Sequence, residues 1–292
     1  MYIIKNKFIF LGISGLLVAA SIFSIFYFGF RQGIDFAGGT LWQIQSENIS
    51  GQEFLQEMFP ESSVMPVEGG SFLIRMPEIT EEQHQESLKV LQSRFSGLEE
   101  LKFESIGPAI GKEVRDRAVW AFLAVLVGIS LYIAFAFRKV SYPVNSWKYG
   151  IITLVTLFHD ALIPAGMTAV IGYLGYGAEL NTNFIIAILV VMGFSVHDTI
   201  VVFDRIRENL RLGIGKNEAF SGLVGRSIQE TINRSINTSL TLVLVLVFLY
   251  FLGSPALFHF ILVILVGTIV GTYSSICVAS PLLTLWKRSG NI

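Results

Sequence analysis

Six long apolar runs, broken by short charged connections, dominate the pattern of hydrophobic and polar positions. Phe8 to Phe30 holds no Asp, Glu, Lys, Arg or His, and it exceeds the roughly 20 residues that an α-helix needs to cross a hydrocarbon core. Ala118 to Phe137, Tyr149 to Ile171, Phe184 to Phe203, Ile236 to Leu252 and Ala256 to Leu285 follow, the last long enough to tilt or to begin at the interface. The first run comes after Lys5 and Lys7 and ends in "SIFYFGF" rather than at a small-residue cleavage site. It therefore reads as an uncleaved first span.

Residues 31–117 show a different periodicity. "GTLWQIQ", "SFLIRM" and "LKFESIG" read as strands, with a helix over "QEFLQEMF" and a second after Thr80. Thr80 with Gln83 three residues on predicts a capping box, and Leu88, Leu91 and Phe95 follow at helical spacing. Strand, helix, strand, helix, strand predicts a small α+β domain of ferredoxin-like type, with its helices on one face of a sheet. The glycines of "GIDFAGGT" match no phosphate-loop pattern and predict a turn where helix passes to strand. In "KNEAFSGLVGRSIQETI", Asn217 can cap a helix near 216–232 whose Phe220, Leu223, Val224 and Ile228 share one stripe. That pattern predicts an amphipathic helix on the membrane surface.

The expected fold is thus a polytopic α-helical membrane protein: a first helix over 8–30, the α+β domain over 31–117, and a five-helix transmembrane bundle over 118–286. Composition agrees, since 52% of the 292 residues are hydrophobic and only 15% charged, outside the range of ordinary soluble domains. A net charge of -1 without aromatic and basic clusters gives no support to nucleic-acid binding. Cys277 is the only cysteine, so no disulfide forms within the chain.

Charge also sets orientation. Lys5, Lys7, Arg138, Lys139, Lys148, the basic residues from Arg205 to Arg234, and Lys287 and Arg288 fall on one side, while the loops near Gly175 and Gly253 carry none. Both termini are expected in the cytoplasm. Residues 31–117 are then extracytoplasmic, and with 15 of the 22 acidic residues against 8 basic ones they form an acidic, solvated module.

Ionisable side chains inside the membrane cost at least about 2.5 kcal/mol each when charged at the centre, so they point to transport or proton relay. Asp198, beside His197, lies inside the fourth run, with Ser195 and, two turns on, Arg205 on its helix face. It can serve as a switchable charge or as a fixed anchor between helices. Arg234 opens the fifth run, and Asn237, Thr238 and Thr241 continue from it at helical spacing as a polar stripe. Arg234 can approach Asp198 as a permanent cation or snorkel as a cytoplasmic anchor. His159 and Asp160 sit in the third run, a turn before Pro164. Neither His-Asp pair has the i,i+4 spacing of two ligands on one helix face, so no metal is expected. Gly267, Gly271, Ser275 and Ala279 recur at every fourth position, which suits close helix packing within the chain or against a partner.

"GIDFAGGT", "SIGPAIGKEV", "HDTIVVFDRIREN" and "NRSINTSLT", in these topological places, resemble the SecF branch of the SecD/SecF family, part of the resistance-nodulation-division superfamily. The likeness covers nearly the whole chain. It implies an accessory, non-enzymatic subunit of the Sec translocase in the bacterial cytoplasmic (inner) membrane. With SecD, it would use the proton motive force to help preproteins leave the SecYEG channel. Its partners would be SecD, SecYEG, YajC, unfolded preprotein and membrane lipids, with protons as coupling ion and no cofactor. The family's essential carboxylate maps onto Asp198 and its conducting-path arginine onto Arg234. His197, Asp160, His159, Ser195, Asn237, Thr238 and Thr241 become supporting polar residues. A passive scaffold for SecD and half of a proton-coupled small-molecule exporter are the competing classes.

Overall fold

The computed structural model describes residues 2–46, 55–56, 58–67, 70–138, 144–214 and 219–286. Six of its helices are long and apolar enough to cross a membrane. They are α1 Lys7–Phe28, α3 Pro108–Ala136, α4 Ser146–Tyr173, α5 Thr182–Arg211, α6 Phe220–Leu252, and a sixth over Phe258–Leu285. The sixth consists of α7 Phe258–Ser274, a π-helical turn Ser275–Ala279, and α8 Ser280–Leu285. Pro281 lacks a backbone donor, and the Ser280 hydroxyl reaches five residues back to the Ser275 carbonyl at 3.0 Å, so the helical register widens here.

Most helices run past the apolar runs because a polar flank interrupts hydropathy without interrupting backbone hydrogen bonding. The sharpest departure concerns the helix expected on the membrane surface near 216–232. It is continuous with the fifth span as α6, with no Gly or Pro between Gln229 and Ile236 to break it. Its stripe of Phe220, Leu223, Val224 and Ile228 is buried in one cluster with Phe137, Tyr149, Val202, Phe203 and Ile206 rather than turned to lipid. The bundle itself supplies the apolar surface that the stripe required. The cap expected at Asn217 lies outside the described residues.

The chain divides into two compact units: Met1–Arg31, Trp120–Glu179 and Asn183–Ile292 in one, Gln32–Val119 and Leu180–Thr182 in the other. The helices of the first unit approach closely at glycine. A Cβ on Gly267 would stand 2.3 Å from Val191 Cγ2, one on Gly271 2.9 Å from Ser195 Cβ, and one on Gly166 2.6 Å from Ser21 Cα. The first two glycines of the small-residue stripe therefore pack inside this chain, α7 against α5.

The second unit contains a four-stranded antiparallel sheet of order β2-β3-β1-β4, with β1 Gly39–Gln45, β2 Ser63–Val67, β3 Ser71–Met76 and β4 Glu99–Ile106. Alternation places Trp42, Ile44, Ile74 and Met76 in a core with Leu55 and with Leu91 of α2, Glu81–Arg94. The sequence predicts three of these strands and misses β2. That strand is short and contains Pro66, which an edge position tolerates because its outer backbone donors need no partner strand. The helix expected over 52–59 lies largely outside the described residues.

At α2 the Gln83 amide donates to Thr80 Oγ1 at 3.4 Å, and the Thr80 amide to Gln83 Oε1 at 2.9 Å. Thr80→Ala is expected to destabilise this helix start by about 1 kcal/mol. Hydrogen exchange on the full chain should show the first-turn amides of α2 opening roughly fivefold more often, and unchanged exchange would exclude a role for the box.

The glycines of "GIDFAGGT" follow a short helical turn, Ile34–Ala37, and Gly38 and Gly39 take φ of 78° and 117°, where only glycine is unstrained. They also admit a neighbour. A Cβ on Gly38 would lie 2.7 Å from Pro108 Cα, and one on Gly111 3.0 Å from the Gly38 nitrogen. Asp35 Oδ2 accepts a hydrogen bond from the Thr182 amide at 2.8 Å, and the Gly33 amide donates to the Leu180 carbonyl at 2.9 Å. Three segments far apart in sequence meet at this turn.

Candidate functional site

Among the described residues, two carboxylates lie inside the helix bundle, each held by hydroxyls from neighbouring helices. Asp198 on α5 is 1% exposed. Its Oδ2 accepts from Ser239 Oγ of α6 at 3.3 Å, and Ser239 Oγ lies 2.5 Å from Thr272 Oγ1 of α7. Asp160 on α4 is wholly buried. Its Oδ1 lies 2.7 Å from His159 Nδ1, and its Oδ2 accepts from Ser195 of α5 and from Ser274 of α7, the latter at 2.7 Å. Ser195 therefore serves Asp160, although its helical spacing suggests a place beside Asp198.

The cations expected near Asp198 are arranged differently. His197 Nδ1 stands 4.0 Å from Asp198 Oδ1, and its ring is more than half exposed. Arg205 pairs with Glu230 at 2.6 Å and Glu208 at 2.7 Å, so it is not the carboxylate's partner. Arg234 is exposed and forms no ion pair with Asp198. Asn237, Thr238 and Thr241 are exposed with it, and Thr241 Oγ1 donates to its own helix at the Asn237 carbonyl, 2.8 Å away. The face of α6 turned to Asp198 is instead the one carrying Ser235 and Ser239, one residue further on. Sequence reasoning found a polar stripe on the right helix but not its rotation, and it passed over Ser239, Thr272 and Ser274. For Ser239 the signal was hydroxyls recurring at i,i+4 from Thr231 through Ser235.

The arrangement has a definite chemical capacity. A hydroxyl donates one proton, and Ser239 Oγ has two competing acceptors, Asp198 Oδ2 and the Ser235 carbonyl at 2.8 Å. Ionised Asp198 can only accept, which draws the Ser239 proton toward it. Protonated Asp198 can donate, which frees Ser239 to bond its own helix. Thr272 Oγ1 faces a parallel choice, between Ser239 and the Thr268 carbonyl at 2.9 Å. One proton on Asp198 can thus reverse the bond between α5 and α6 and turn the Ser239 proton to its own helix. A groove of about 410 Å³ lined by Ile236, Leu240, Ile269 and Tyr273 opens on the Ser239 and Thr272 hydroxyls.

Comparison with known proteins finds a match to the family model "Protein export membrane protein SecD/SecF, C-terminal" over residues 86–289, and to "SecD/SecF GG Motif" over 23–48. The chain is similar to the protein translocase subunit SecF of Thermobaculum terrenum, with 40% identity over 98% of this chain and 94% of that protein. It is 36% identical to the protein translocase subunit SecDF of Thermus thermophilus, spanning 99% of this chain but 40% of that protein. A crystal structure of SecDF from Thermus thermophilus superposes with a TM-score of 0.82 at 35% identity, covering 98% of this chain and 38% of that one. SecDF in a super-membrane-facing form gives 0.66 at 34% identity, again over 98% of this chain and 38% of that one.

Proposed function

This chain belongs to the SecD/SecF family of protein-export membrane proteins, and on that footing we propose that it couples the proton motive force to a late stage of preprotein export. It is an accessory subunit of the Sec translocase. The observation that carries the coupling role is Asp198, a buried carboxylate that accepts from Ser239 of α6, which in turn meets Thr272 of α7. Asp198 takes up and releases the proton. Arg234, exposed on α6, is the permanent cation of the proton path.

SecD is the partner, as the fused SecDF relative suggests, with SecYEG, YajC, the preprotein and surrounding lipid completing the assembly. The α5–α6 face that carries Gly193, His197, Arg234, Asn237, Thr238 and Thr241 is the surface on which SecD docks. Polar groups at membrane depth are poorly served by lipid, and a second polar bundle satisfies them. The sheet order β2-β3-β1-β4, with a helix between β3 and β4, supports a ferredoxin-like domain. It is extracytoplasmic, and both termini are cytoplasmic in the inner membrane. Movement of this domain is the output delivered to the emerging polypeptide.

The test is release of a radiolabelled preprotein from cells lacking both subunits, with this chain and its SecD restored together. Restored release that an uncoupler abolishes is expected. Release that the uncoupler leaves untouched would remove the proton from the reading, and no restoration at all would leave only a scaffold.

A further inference from the structure

Asp160 and Asp198 sit on different helices, yet both bear on α5 and α7: Asp160 bonds to a hydroxyl of each, and Asp198 stands on α5 and is linked to α7 through Ser239 and Thr272. Asp160 receives Ser195 of α5, one helical turn before Asp198, and Ser274 of α7, two residues after Thr272. Between these attachment points the two helices touch, because Gly271 leaves room for the Ser195 side chain. Asp160 therefore ties α4 to α5 and α7 where the two helices meet at Gly271 and Ser195, within a turn of Asp198 and Thr272.

We propose that Asp160 is a positioning residue for proton coupling, holding α5 and α7 in register so that a proton on Asp198 is read as a change in helix packing. The inference rests on the proton-coupled reading of Asp198. Three features make the tie more than an ordinary core contact. The carboxylate has no solvent exposure and takes three donors on two oxygens, an arrangement that fixes its direction. Ser274 has an alternative acceptor in the Gly271 carbonyl at 3.0 Å, so its bond across to α4 can be given up without stranding the hydroxyl. The π-helical turn begins directly after Ser274, so the tie lies where α7 is least regular. Among the described residues, the ionisable groups around the two carboxylates are His159 beside Asp160 on α4, His197 beside Asp198 on α5, and Arg234 on the exposed face of α6. From α7 the Ser274 hydroxyl reaches Asp160, and the Thr272 hydroxyl reaches Ser239.

The experiment measures proton-driven preprotein export as a function of pH in membrane vesicles holding this chain and SecD, for wild type, Asp160→Asn, Ser274→Ala and the double variant. Each single variant is expected to co-purify with SecD at the wild-type level while its half-maximal pH moves by about one unit, a tenfold change in proton dependence. The double variant should move no further than Asp160→Asn alone, because Ser274 acts through Asp160. An unchanged pH profile, whether or not export falls overall, would reduce Asp160 to a packing contact and overturn the proposal. Additive shifts would overturn the link between the two residues. Should Asp160→Asn fail to accumulate, Ser274→Ala, which keeps the carboxylate, decides alone. Asp198→Asn in the same vesicles separates the two levels: if it leaves export fully proton-driven, the coupling reading fails, whatever the Asp160 profile.

Discussion

Asp198→Asn is expected to bring preprotein export down to the level of uncoupled wild type while leaving the assembled protein intact. An asparagine keeps the size of the side chain, and its carbonyl oxygen can still accept the Ser239 hydroxyl, so the packing of α5 against α6 and α7 survives. What it loses is the change of charge. One proton crossing 100 mV supplies ~2.3 kcal/mol, which biases a two-state equilibrium about fiftyfold. A side chain that cannot titrate transmits none of that bias. Export should therefore lose its whole uncoupler-sensitive increment and keep the remainder, measured as release of a radiolabelled preprotein with SecD present. Normal, uncoupler-sensitive export by this variant would make Asp198 an anchor and this chain a scaffold.

Gly267→Leu should act on the bundle itself. The first added atom, Cβ, already overlaps Val191 at 2.3 Å and 2.6 Å from its two methyl carbons, and the rest of a leucine has to fit in the same seam. Overpacking a filled core costs about 1–3 kcal/mol, and overlap at Cβ, which no rotamer relieves, places this variant at about 3 kcal/mol. The seam is the crossing of α5 and α7, so Asp198 and Asp160 lose their partners together. Thermal unfolding of detergent-extracted protein should show a large fall in midpoint and poor accumulation. Gly128→Leu is the control, since a Cβ there meets nothing within 4 Å and the position is exposed. Equal midpoints for the two variants would contradict the close α5–α7 approach.

Much of the fold was legible because it follows from one-dimensional rules. An apolar run of about 20 residues has few alternatives to a membrane helix. The Thr80 and Gln83 capping box depends on atoms three residues apart, so the sequence contains it whole. Strand β1 was legible through alternation, whereas β2 was hidden by Pro66, a residue whose tolerance depends on the strand standing at the sheet edge. Edge position is a property of the assembled sheet. The surface helix near 216–232 failed for a related reason, since an amphipathic stripe records that apolar cover is needed and not whether lipid or protein provides it.

By itself the sequence determined which residues are chemically unusual. Asp198, Asp160, His159, His197 and Arg234 stand out because charge is costly at membrane depth, whatever surrounds it. The tertiary structure alone decided how they are paired. Successive side chains on a helix stand about 100° apart, so a one-residue difference in rotation separates the buried Ser239 from the exposed Thr238, and the roughly 60° between Ser195 and Asp198, three residues apart, lets Ser195 turn to Asp160. That rotation is set by the glycine contacts of α7 on α5 and by the buried stripe of α6. Both are packing relations between segments far apart in the chain, and no local pattern of residues contains them.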